Sequence, residues 1–95
     1  MAAYVIVRSA VSDPEKYRQY AQASTSVAPA FGGRFLVRGG RTEALEGPAE
    51  GRRVVVLEFP DMQKARDWFA SPEYQAAKAL RAGAAVAEFL LVEGI

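Results

Sequence analysis

The stretch from Gly32 to Gly40 reads GGRFLVRGG, a short alternating strand set between two glycine pairs with an arginine at each end. Gly32-Gly33 ends any helix that precedes it, and Gly39-Gly40 marks a bulge or tight bend after it. The chain therefore changes from helical to strand periodicity at a defined point.

The residues on either side fill in around this switch. Ala3 to Arg8 (AYVIVR) is apolar and β-branched, as a buried strand is. Asp13-Pro14 then supplies an N-cap followed by proline at the first helical position, where its missing N–H costs nothing. Tyr17, Tyr20, Ala21, Ser24, Ala28 and Phe31 continue at helical spacing as far as Gly32. The strand Arg34 to Arg38 is extended in this reading by Thr42 to Glu46, up to the turn cluster Gly47-Pro48-Ala49-Glu50-Gly51. A third strand covers Arg53 to Phe59. Asp61 caps a helix carrying Ala65, Trp68 and Phe69, and Ser71-Pro72 restarts it by the same cap-plus-proline device. Tyr74, Ala77, Leu80, Arg81 and Ala84 sustain that helix, Gly83 weakens it, and Ala87 to Val92 forms the last strand.

The order β-α-β-β-α-β, with two similar halves, is the split βαβ pattern of an α+β, ferredoxin-like domain. At 95 residues the chain holds one such domain, spanning 1–95. Right-handed crossovers put both helices on one face of a four-stranded antiparallel sheet. Alternation then assigns Val5, Val7, Phe35, Val37, Val55, Leu57, Phe59, Phe89 and Leu91 to the helix side. Tyr4, Ile6, Arg8, Arg34, Leu36, Arg38, Val54, Val56, Glu58, Glu88, Leu90 and Val92 fall on the opposite face. That face is too apolar to be left wet, so the expected partner is a second copy, sheet against sheet with two-fold symmetry.

With GGRFLVRGG, VVVLEFP (Val54 to Pro60), SPEYQ (Ser71 to Gln75) and LLVEG (Leu90 to Gly94) in place, the chain resembles, nearly end to end, the domain of unknown function 1330 family of the dimeric α/β-barrel superfamily. The resemblance implies a ferredoxin-like protomer that dimerises through its sheet. The wider superfamily includes cofactor-free monooxygenases, lactone isomerases and haem-handling proteins, and the resemblance selects none of them.

The chain contains no cysteine and no histidine. Disulfides, thiolate chemistry, imidazole acid–base catalysis and the usual transition-metal ligands go with them, and the haem-handling and histidine-dependent activities of the superfamily lose their key residue. No metal and no cofactor are expected. Twelve basic against eleven acidic residues leave +1, which gives no general grip on nucleic acid or an anionic membrane. The N-terminus enters its first strand without a charged leader, and no apolar run approaches a spanning length of about 18 residues. The expectation is a cytoplasmic protein with no membrane partner.

Nine of the twelve basic residues are arginine, the side chain suited to bidentate recognition of carboxylate or phosphate. Arg8, Arg38 and Glu58 interrupt apolar strands on the predicted partner-facing side. Strands one and three are expected to be parallel neighbours, which brings Arg8 and Glu58 to the same end of the sheet. A hairpin centred on Pro48 sets Arg38 opposite Glu58, whereas a bulge at Gly39-Gly40 favours Arg34. The functional expectation is an inter-sheet pocket for a small organic anion, gripped by Arg8, Arg38 or Arg34, with Glu58 as candidate base and Tyr4 orienting the ligand at the rim. The competing expectation is an ion-pair network that only fixes the interface of a non-catalytic dimerisation or ligand-sensing module.

Other features have plainer readings. Trp68, Phe69 and Tyr74 fall on successive helical turns and read as core. Arg34, Arg38, Arg41, Arg52 and Arg53 form a basic set, but an RNA-binding sheet stacks bases on several aromatics and here only Tyr4 is available on that face. No nucleic-acid partner is expected.

Overall fold

The computed structural model describes residues 1–95. Four strands, β1 (Ala3–Val11), β2 (Arg34–Arg38), β3 (Arg53–Phe59) and β4 (Ala85–Glu93), form one antiparallel sheet in the order β2-β3-β1-β4. Three helices, α1 (Pro14–Thr25), α2 (Met62–Ala70) and α3 (Pro72–Ala79), lie against the sheet through a shared core. This is the expected α+β ferredoxin-like fold. β1 and β4 run longer than their sequence patterns, because their mutual pairing carries Ala10 opposite Val86 and Val11 opposite Ala85 into the ladder.

The caps work as their residue types dictate. Asp13 accepts from the Lys16 N–H at 3.1 Å to open α1, and Asp61 accepts from the Lys64 N–H at 2.8 Å to open α2. Ser71 ends α2 and begins α3. Its hydroxyl donates to the Trp68 carbonyl at 2.8 Å and accepts from the Tyr74 N–H at 3.1 Å. A single 3₁₀ turn, Ala28–Phe31, follows α1 and closes on Gly32 at φ 77°, the left-handed conformation that favours glycine.

Buried residues alternate along β1 and β3, and the helices cover that face with Tyr17, Tyr20, Ala65, Trp68, Tyr74 and Ala77. Trp68 lies 4.5 Å from the Tyr74 ring and 5.1 Å from Phe59, centroid to centroid, so the aromatic residues of α2 and α3 are core as their spacing predicts.

Four details depart from the sequence reading. Strands β1 and β3 are antiparallel, with Tyr4 opposite Glu58 and Arg8 opposite Val54. A split βαβ unit makes β1 and β2 parallel and sets β3 between them running the other way, so Arg8 and Glu58 stand at opposite ends of the sheet. The bulge lies inside β2, not at Gly39-Gly40: Phe35 pairs with Leu57, and the next pair is Val37 with Val56. The extra residue, Leu36, reverses the parity of everything after it. Val37 therefore joins the free face, and Arg38, opposite Val55, turns to the helix side. Finally, Thr42 to Glu46 is not strand; residues 39–52 form one irregular loop.

Candidate functional site

The free face of the sheet carries charge at both ends and apolar residues between. At one end Arg34 Nε donates to Glu58 Oε1 at 2.7 Å, with Tyr4 next in line across the sheet. At the other, Arg8 Nε lies 3.4 Å from Glu50 Oε2, Arg52 Nε donates to Glu50 Oε1 at 2.9 Å, and Arg52 also pairs with Glu88. The hydrogen bonds from Arg52 hold the Glu50 carboxyl below its ordinary range, and those to Glu50 and Glu88 raise Arg52 in turn. Four residues separate Arg8 from Tyr4, roughly 13 Å along a strand. Arg8, Arg34, Glu58 and Tyr4 thus share the predicted face; Arg34 and Glu58 meet beside Tyr4, Arg8 stands at the other end, and each of the three charged groups has an ionic partner.

Between these ends, one row crosses all four strands: Val37 opposite Val56, Val56 opposite Ile6, and Ile6 opposite Leu90. Leu90 is 55% and Val37 39% exposed, so the row is open in the protomer.

The helix side has a different character. A chamber of about 40 Å³ lies between α1 and the sheet, walled by Val7, Val55, Leu57, Phe35 and Phe89 among others, with Arg38 and Arg53 also lining it. Arg53 begins β3 on the same parity as Val55, Leu57 and Phe59, so it points under the helices by simple alternation. The Arg38 guanidinium carbon sits 4.2 Å from the Phe35 ring centre, and that of Arg53 lies 5.8 Å from Tyr17. Neither meets a carboxylate, in contrast to Arg8, Arg18, Arg34 and Arg52.

Trp68 and Phe89 separate this chamber from a second cavity of about 330 Å³ bounded by Val5, Ala65, Arg66, Phe69 and Leu91. Trp68 is buried, yet its Nε1–H has no acceptor. Beside it, the Tyr20 and Tyr74 hydroxyls share a 2.8 Å hydrogen bond. Burial pushes both phenols above the ordinary tyrosine value, so both stay protonated at neutral pH. Arg81 stacks on Tyr20 at 5.1 Å and on Phe89 at 5.3 Å. Burial alone would lower its pKa, and the two phenol oxygens more than offset this.

Sequence reasoning did not single out Arg53 or Trp68 as site residues. Strand parity was the available signal for Arg53. No sequence signal exists for an unanswered indole N–H.

Compared with known families, residues 2–95 match the Domain of unknown function (DUF1330). The chain belongs to the DUF1330 family. No protein of curated function matches this DUF1330 chain in sequence. Among solved structures, a protein of unknown function from Rhodopseudomonas palustris is similar with a TM-score of 0.75 at 21% identity, covering 99% of this chain and 82% of that one. SnoaB, a cofactor-independent oxygenase from Streptomyces nogalater, gives 0.71 at 15% identity over 99% and 93%. A dimeric ferredoxin-like protein of unknown function from Jannaschia sp. CCS1 gives 0.70 at 16% over 99% and 100%. At such identities the DUF1330 protein shares their fold. No helix in it is long and apolar enough to cross a membrane, and no three His, Cys, Asp or Glu side chains cluster.

Proposed function

We propose that this DUF1330 protein is a homodimer joined through its free sheet face, and that each protomer holds a small organic molecule between its helices and its sheet. The dimer reading draws on the open apolar row Val37, Val56, Ile6 and Leu90, whose water exposure a second copy would relieve. Its fold relatives from Jannaschia and Bacteroides fragilis are described as dimeric.

One observation carries the ligand reading: Trp68, whose buried indole N–H has no acceptor, lines both cavities. Leaving such a donor unpaired costs about 1–3 kcal/mol. A ligand carbonyl or carboxylate oxygen would remove that cost. The inter-sheet pocket expected from Arg8 and Glu58 receives less support, since their charges are spent on ion pairs far apart.

Binding takes precedence over catalysis in this reading. The helix-side chamber contains no carboxylate, and burial holds the proton on its Tyr20 phenol, so the lining offers no strong base. An enzymatic role would have to draw on the reactivity of the bound molecule. The likeness to a cofactor-independent oxygenase and to a putative antibiotic biosynthesis monooxygenase from Nitrosomonas europaea keeps that second reading open.

Trp68 is the sole tryptophan, so its fluorescence reports on the cavity directly. Titration with a panel of small aromatic and aliphatic acids, amides and ketones is expected to shift or quench that emission saturably. A flat response across the panel would overturn the cavity as a ligand site.

A further inference from the structure

Resting on the helix-side cavity as the ligand site, we infer that its ligand is a compact organic carboxylate gripped at the chamber mouth by Arg38 and Arg53. Both guanidiniums reach the chamber by backbone devices. The Leu36 bulge turns Arg38 under the helices, and the parity of β3 directs Arg53 there. Arg38 and Arg53 both line this one small chamber, and neither pairs with a protein carboxylate. Arg53 Nε is buried and donates to nothing. Two arginines without a protein counter-ion on one lining fit an anion, and the planar fork suits a carboxylate bidentately.

Gly39 supplies a second, independent observation. Arg53 also lines an outer groove of about 570 Å³ with Gly39, Tyr17 and Arg18, so it stands where the groove meets the chamber. It lies tight against Gly39, where a Cβ would come 2.7 Å from the Arg53 guanidinium carbon. Gly39 has φ +69°, so backbone conformation and side-chain room both favour glycine there. Its lack of a side chain leaves room for the Arg53 fork.

The rest of the lining selects a carboxylate over a phosphate. The hydroxyls nearby are already donating, Tyr17 to Ser9, and Ser24 and Thr25 both to the Ala21 carbonyl. Beyond the two guanidiniums, Tyr17, Ser24 and Thr25 therefore offer a phosphate group no further donor. The remaining walls are aliphatic or aromatic, and a chamber of about 40 Å³ fits an apolar body of only a few carbon atoms behind the charge.

The test compares acetate and propionate with acetamide and propionamide, and with inorganic phosphate, by Trp68 fluorescence and calorimetry. The parent protein is expected to bind the acids at least tenfold more tightly than the amides, and phosphate weakly or not at all. Arg38→Lys, which keeps the charge but loses the fork, is expected to weaken the acids by roughly tenfold. Gly39→Ala is expected to weaken them without removing any charge, because it displaces Arg53. Amides binding as well as acids would overturn the carboxylate while leaving the cavity reading standing. Preference for phosphate, or unchanged acid binding in both folded variants, would also overturn it. Failure of acids and amides alike would end both readings. Near-ultraviolet circular dichroism checks folding, and the acid-to-amide ratio of the parent decides the matter even if a variant does not fold.

Discussion

Arg38 lies three residues past Phe35 yet stands opposite Val55, only two residues from Leu57, the partner of Phe35, because Leu36 occupies no paired position of its own. This offset puts Arg38 under the helices and Val37 into the row that crosses the free face. It also makes a specific claim about a deletion. Removing one residue from a regular strand flips every later side chain to the wrong face. Removing Leu36 leaves Val37 opposite Val56 and Arg38 opposite Val55, so the ladder closes without a flip. Deletion of Leu36 is expected to cost no more than about 1–2 kcal/mol in urea denaturation, the contact loss of one half-exposed leucine. Deletion of Val55 in the regular strand β3 serves as the contrast and is expected to abolish folding. Loss of the folded state in the Leu36 deletion would remove the bulge as the explanation for the Arg38 orientation.

The row Val37–Val56–Ile6–Leu90 gives the second prediction. Val56 has a valine on one side and an isoleucine on the other, and a carboxylate there would be unpaired once a second sheet covers it. The parent is expected to sediment as a dimer at micromolar concentration, and Val56→Asp to sediment as a monomer or to unfold, because burying a lone charge costs several kcal/mol. A folded parent monomer at that concentration would contradict the interface.

The third prediction concerns Arg34 and Glu58. Their 2.7 Å contact is well formed, but the Arg34 side chain is 70% exposed in the protomer. Such a pair contributes about 0–1 kcal/mol when solvated. A double-mutant cycle with Arg34→Met and Glu58→Gln is therefore expected to give a coupling within that range if the pair stays wet. A clearly larger coupling would place it inside the dimer seam.

The two faces of the sheet were unequally legible in the sequence. Caps, glycine stops and strand parity specify most of the helix-side core, since Asp13, Asp61 and Ser71 act through their own neighbours. Parity fails at one residue, Leu36, and that single slip misplaces both Val37 and Arg38. Nothing in RFLVR distinguishes a bulge at Leu36 from one at Gly39, because the choice is made by the packing of Phe35 and the stacking of Arg38 on it. The ion pairs of Glu50 were also out of reach. They depend on how loop 39–52 folds back over the sheet, which is tertiary information.

The last prediction concerns alkali. Tyr20 and Tyr74 are buried with hydroxyls 2.8 Å apart, and burial raises both phenols above the ordinary value of about 10. A group that holds its proton more tightly when folded stabilises the fold fully below its unfolded pKa. That stability declines as pH rises past about 10, where the unfolded chain begins to lose protons that the folded chain keeps, by up to about 1.4 kcal/mol per pH unit for each phenol. The expected result is a urea midpoint that falls steeply above pH 10, and an absorbance titration in which Tyr20 and Tyr74 ionise only on unfolding. Replacing both by phenylalanine removes this slope. Replacing Tyr74 alone leaves the Tyr20 hydroxyl without its partner at a cost of about 1–3 kcal/mol, whereas the double replacement costs less than the two single ones together, because neither side then holds an unpaired group. A double variant that retained the full alkaline slope would show that other groups set it, and ordinary ionisation of all four tyrosines near pH 10 in the folded protein would contradict the buried pair outright.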